Sequence, residues 1–162
     1  MRFSAALIAS LVAFIPVDAR QARHAQHLDA RGKHVMGFDQ QKTTHRFLLY
    51  EDGGAIEVTV KDRDDRANLD AIQSHLPHIV QLFANGDFSS PMTVHDRKDV
   101  PGTRDLARLK TSVKYAYVQM PAGGRVEIVT SDKEALTALH AFLKYQIADH
   151  QTGDKTVAVK RR

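Results

Sequence analysis

Gly53-Gly54-Ala55-Ile56-Glu57-Val58 and, further along the chain, Gly123-Gly124-Arg125-Val126-Glu127-Ile128 are the two stretches on which the fold turns. Each opens with a glycine pair and continues as an apolar–polar alternation. Ile56, Val58 and Val60 then share one face, the period of a half-buried strand. Each is preceded by a second strand-like run, His45 to Tyr50 and Val113 to Met120. The turns Asp52-Gly53-Gly54 and Ala122-Gly123-Gly124 between them are hairpin signals, because glycine takes positive φ at no steric cost.

A helical period follows each hairpin. Leu69, Ile72, Leu76, Ile79 and Phe83 form a stripe over about Arg66 to Ala84, closed by Asn85-Gly86. Pro77 lies inside it and is expected to kink it, since it lacks a backbone donor. Leu136, Leu139, Leu143 and Ile147 form the second stripe, on a helix capped by Asp132, running through Ala148 and ended by Gly153. Leu69, Ile72, Leu76 and Gly86 match Leu136, Leu139, Leu143 and Gly153 once a short deletion between strand and helix is allowed. One ββα unit cannot hide its own apolar face, whereas two can. The expected fold is therefore α+β, a duplicated ββα unit forming a four-stranded antiparallel sheet with two helices on one face. Residues 87–103 read as a connector, and Arg104 to Lys110 as a short helix.

Outside this unit the chain changes character. Arg2, the apolar run Ala5 to Ile15, Pro16 and the small residues Val17-Asp18-Ala19 read as a signal peptide over 1–19, cleaved after Ala19. The run is about 11 residues, short of the roughly 20 that a bilayer needs, so no membrane span is expected in the mature chain. Residues 20–35 are polar, rich in Arg, His and Gln, and read as a flexible linker. Residues 36–150 form the single domain, and 151–162 a loose basic tail. The exported chain is expected in the periplasm or secreted.

The chain has no cysteine. This excludes disulfides, thiolate metal sites, iron–sulfur clusters and cysteine nucleophiles. The formal net charge is +4. In an exported protein it favours solubility or attraction to anionic envelope surfaces, and no nucleic-acid partner is expected. Phosphate loops, dinucleotide fingerprints, nucleophile elbows and zinc-protease helices are absent from the sequence.

Histidine stands out, with nine in the chain. Neutral imidazole is the commonest protein ligand for zinc, copper and nickel. His75 and His78 are three apart on a helix and share a side, beside the apolar stripe. The same spacing also describes the polar edge of an amphipathic helix. Met92 and His95 in the connector offer the thioether–imidazole mixture that copper accepts, as do Met36 and His45. The methionines equally suit plain packing. His45, His75, His78, His95 and Met92 are the candidate metal ligands. His140 sits in the second apolar stripe and reads as a buried neutral ring. His150, in the last helical turn, reads as a cation at the negative helix end. Tyr50, Tyr115 and Tyr117 are placed to line the open sheet face.

Met36-Gly37-Phe38-Asp39-Gln40 with Thr43-Thr44-His45-Arg46-Phe47, then Asp52-Gly53-Gly54-Ala55-Ile56, resembles a family of small exported bacterial proteins of unassigned role. The resemblance extends through His75 to Ile79, Pro91-Met92, His95, the Gly-Gly-Arg-Val strand and Phe142 to Asp154. It implies an envelope setting and a single domain, and no activity. Some relatives carry a transcarbamoylase label. This chain lacks the Ser-Thr-Arg-Thr phosphate segment and has about half the necessary length. The family pattern has a second histidine at the position of Arg46 and no proline at 77.

Three functions fit these observations. The leading one is a non-enzymatic periplasmic binding protein, with copper or zinc as the ligand its surface histidines suggest. The others are an envelope interaction module using an exposed aromatic sheet face, and a small enzyme with an unfamiliar site. A pocket holding His95 or His45 beside a buried carboxylate would favour the last.

Overall fold

The structure is a computed structural model that describes residues 17–161. It is α+β. In chain order come α1 (Val17–Met36), β1 (Thr43–Tyr50), β2 (Gly53–Val60), α2 (Arg66–Ala84), α3 (Ser89–His95), α4 (Thr103–Arg108), β3 (Lys114–Met120), β4 (Gly123–Val129) and α5 (Lys133–Asp149). The strands form one antiparallel sheet in the order β1-β2-β4-β3. Ile56, Val58, Val126 and Ile128 turn inward from the central strands and are buried beneath α2 and α5. Asp65 and Asp132 cap those helices by accepting backbone N–H bonds of the first turn.

The register reveals how the two halves meet. Ile56 stands opposite Val126, its own counterpart in the repeat, and the rest of the β2–β4 ladder follows, Gly53 facing Val129 and Thr59 facing Gly123. That is the pairing a two-fold axis through Ile56 and Val126 produces. The contacts repeat under the same rotation. Val60 N–H donates to Ala122 O at 2.8 Å, and Thr130 N–H donates to Asp52 O at 3.0 Å. Gln73 on α2 donates to Met120 O and Gly123 O, both at 3.4 Å. Its counterpart on α5, His140, reaches Tyr50 O and Gly53 O, both at 3.0 Å. α2 lies chiefly over β3 and β4, and α5 over β1 and β2. Each half therefore covers the sheet of the other, and neither is a unit alone.

Several expectations are corrected. Residues 20–35 are not a linker. They belong to α1, which packs on α3 with Leu28 buried, and Arg31 Nε donates to Val94 O at 2.8 Å. Leu28 is almost the only large apolar residue of that stretch, so it shows no period. The expected signal peptide lies mostly outside the described residues. α2 runs through Pro77 unbroken. On α5 the buried face is Ala135, Ala138, Leu139, Phe142, Leu143, Gln146 and Ile147, and Leu136 sits at its edge. Tyr115 and Tyr117 stand opposite Ile128 and Val126, so they face the helices and not the open side. Only Tyr50 of the three lies on the open face, beneath the Arg161 guanidinium at 4.4 Å. No helix among the described residues is long and apolar enough to cross a membrane.

The tail is not loose either. Val159 bridges Tyr50 in parallel, accepting from Glu51 N–H and donating to Leu49 O. Asp154 accepts the Phe47 N–H at 2.9 Å. The outward Phe47 N–H, Leu49 O and Glu51 N–H at the C-terminal end of β1 are thus occupied, which blunts that end of the edge as a template for pairing with another chain. A chain ending at Thr152 is expected to associate more strongly with concentration than the full chain, read by light scattering. Equal behaviour of the two would deny the tail this role.

Candidate functional site

Between the sheet and helices α2, α3 and α5 lies a cavity of about 70 Å³. Apolar side chains such as Phe47, Ile79, Phe83 and Phe142 form most of its wall, and His45, His75, His95 and His150 also line it. Strand alternation delivers His45, which points inward with Phe47 and Leu49. His75 precedes the buried Leu76 on α2. His95 is the last residue of α3, which ends where Asp96 turns to φ 52°. His150 caps the C-terminus of α5.

Burial governs the charge of these rings. It pushes His45 from 6.5 down to about 4. His75 also falls to about 4, through burial and then through neighbouring His78. His150 falls to about 3, through burial, then His45 and His95, with Asp149 opposing. All three are neutral imidazoles at neutral pH. The buried Nε2 atoms of His45 and His75 have no hydrogen-bond partner. Imidazole stacking links His45 to His150 at 5.6 Å between centroids, and His95 meets His150 edge-on at 5.1 Å.

His95 is buried and held at both nitrogens. Nδ1 lies 2.6 Å from Asp149 Oδ2, and Nε2 lies 2.9 Å from Gln146 Oε1. The other Asp149 oxygen lies 3.1 Å from His24 Nε2 on α1. Burial of the Asp149 carboxyl favours its protonated form, but hydrogen bonds and charge from His95 and His24 prevail, so its pKa is lowered.

Of the five candidate ligands, three come to one cavity: His45, His75 and His95. His78 is exposed on the outer side of α2. Met92 is partly buried against the core and is not among the cavity's lining residues. Among the described residues, no three His, Asp or Glu side chains are arranged to hold a metal ion as they stand. His150, Asp149 and Gln146 were missed by sequence reasoning. The repeat held the signal: His150 occupies the place of Phe83, and Gln146 that of Ile79, polar residues in slots the other half fills with apolar ones.

On the opposite sheet face Glu57, only 5% exposed, pairs with Arg125 and with Arg46 at 3.4 Å. Arg125 and Arg161 share Glu127, and Arg46 also reaches Asp154 at 3.6 Å. This ladder pairs charges within the chain and places charge where an aromatic face was expected.

No protein-family model, curated protein or solved structure matches this chain.

Proposed function

We propose that this chain is a non-enzymatic periplasmic binding protein whose ligand enters the histidine cavity, and that the ligand is a transition-metal ion such as copper or zinc. The observation that carries the reading is the pair of buried, partnerless Nε2 atoms of His45 and His75 in one apolar cavity. A buried polar atom ordinarily has a partner. Imidazole kept neutral by burial is also the form that binds metal. The test is titration of the purified chain with copper, zinc and nickel ions, beside a His45→Ala/His75→Ala variant. The expected result is tight one-to-one binding that the variant loses. Weak binding of several ions, the same in both proteins, would sink the reading.

A second reading, a small enzyme, is favoured by the His95–Asp149 pair beside a cavity that Ser90 also lines. An imidazole oriented by a carboxylate is the arrangement of a general base. Against it, Gln146 holds the His95 nitrogen that would act. The interaction-module reading loses its surface, because Tyr115 and Tyr117 face inward.

A further inference from the structure

The two outer strands of the sheet are mates under the internal two-fold, yet only one of them is covered. The tail straps β1 at Phe47, Leu49 and Glu51. β3 pairs with β4 in the register in which β1 pairs with β2, Tyr117 facing Val126 as Phe47 faces Ile56. The backbone groups of Tyr117 and Gln119 therefore point outward like those of Phe47 and Leu49, and by alternation so do those of Tyr115. Among the described residues no strand or tail segment covers them. Pro121, the mate of Glu51, has no N–H and closes the run.

An open edge is ordinarily blunted by charge, proline or a bulge. β3 has little of this. Its pairing with β4 runs one to one from Lys114 to Met120 without a bulge, and Tyr115 to Met120 contains neither a charge nor a proline.

The helix beside the edge has the same character. α2 lies over β3 and β4. One flank carries His75 towards the cavity. The opposite flank presents Gln73, Pro77, Val80 and Ala84 at helical spacing. Gln73 fixes its direction, since it donates to Met120 O at the end of β3. From Ala71 to Ala84 the helix has no Asp, Glu, Lys or Arg, although these make up 26% of the chain. At the strapped edge Lys144 stands in the place of Pro77, and Arg46 in that of Ala116. Charge is absent from both elements bordering the bare edge, the depletion that marks the core of an interface.

We infer that the edge of β3 is covered by the same edge of a second copy of this chain, antiparallel and with the dyad at Tyr117. Tyr117 then faces itself and Tyr115 faces Gln119, and these pairs exchange the outward N–H and C=O groups. On the open face Val118, 42% exposed, meets Ala116, and Lys114 meets Met120, so no like charges face each other. Strands about 4.8 Å apart place the two α2 axes roughly 10 Å from each other, which is helix-packing distance. A lone extended peptide would satisfy the backbone but leave the uncharged flank of α2 bare. The pairing uses β3 as it stands, and it is independent of what the cavity holds.

The experiment is sedimentation velocity on the full purified chain over a wide range of concentration, and a monomer–dimer equilibrium is expected. Gln119→Pro removes an outward N–H without touching the β4 ladder. It should raise the dissociation constant by about 10-fold or more, since symmetry removes the bond twice, with circular dichroism unchanged. Pro77→Lys, which takes the residue at the mate position, should weaken the dimer as well. The chain has no cysteine, so introduced thiols report the register. Ala116→Cys and Val118→Cys chains, mixed under mild oxidant, should cross-link to each other more fully than either does alone, because facing Cα atoms about 4.5 Å apart suit a disulfide. A chain that stays monomeric at every concentration would overturn the second copy as occupant and leave the edge to an extended peptide. A dimer that survives both substitutions and does not cross-link would place the interface elsewhere and equally overturn the inference.

Discussion

The protein is expected to lose most of its stability between pH 6.5 and pH 4. His45, His75 and His150 are held below the ordinary histidine value of 6.5 in the fold, to about 4, 4 and 3, chiefly by burial. Their neutral form is the folded form. Above pH 6.5 both states carry neutral rings and the histidines contribute no pH dependence. Below it the unfolded chain takes up protons that the fold refuses, and stability falls until pH drops past the folded values. At pH 5 the loss is about 2 kcal/mol for each of His45 and His150, and less for the more open His75. Set against a total of about 5–15 kcal/mol for a domain, this takes the protein towards unfolding. Urea denaturation at a series of pH values would show it. His75→Phe should flatten the profile by removing one titrating ring. A wild-type curve that is level from pH 7 to pH 5 would mean that the rings are hydrated and protonate freely in the fold.

The second large effect is expected at the middle of the sheet. A Cβ at Gly123 would lie 2.0 Å from the carbonyl oxygen of Val58, and one at Gly53 would lie 2.0 Å from that of Ile128. These are the same contact under the internal two-fold, and the atom struck is backbone, which cannot swing aside. Gly123→Ala must then part β2 from β4 at one end. The expected cost is about 3 kcal/mol, or a fall of roughly 10 °C in Tm. Gly53→Ala should cost about the same by symmetry, and thermal denaturation of the two variants would compare them. A difference between them of several-fold would show that the halves are not mechanically equivalent.

The parts of the fold that repeat were legible. The Gly-Gly hairpins, the shared face of Ile56, Val58 and Val60, and the whole stripe from Leu69 to Phe83 are all where their periods place them. The parts that do not repeat were not. α1 buries Leu28, packs Met36 against the core and is otherwise held by polar contacts such as those of Arg31 and His24, and polar anchors have no period to read. The tail docks through backbone hydrogen bonds of Val159, which any residue but proline would make, and through the side chains of Asp154 and Arg161, which have no period to read. The site lies between these cases. His45 and His95 were visible as unusual residue types in strand and connector. His150 was read as a solvated helix-end cation. Its burial depends on β1 passing beneath the end of α5, a contact between distant segments. Tyr115 and Tyr117 were assigned to the wrong face because Lys114, Ala116 and Val118 alternate with them as plausibly as they do with the core.

The occupied edge of β1 fixes how many neighbours the sheet can accept. Of its two outer strands, β1 is strapped by Val159 and Asp154, while β3 has no strand beyond it among the described residues. Such a sheet has a valence of one. Two copies joined β3 to β3 would form a continuous double-length sheet whose remaining borders are both strapped, and growth would stop there. Without the strap the valence becomes two, and the same pairing extends into an open-ended fibre. Were copies to pair in this way, Asp154 and Val159 would decide whether the pairing terminates or propagates.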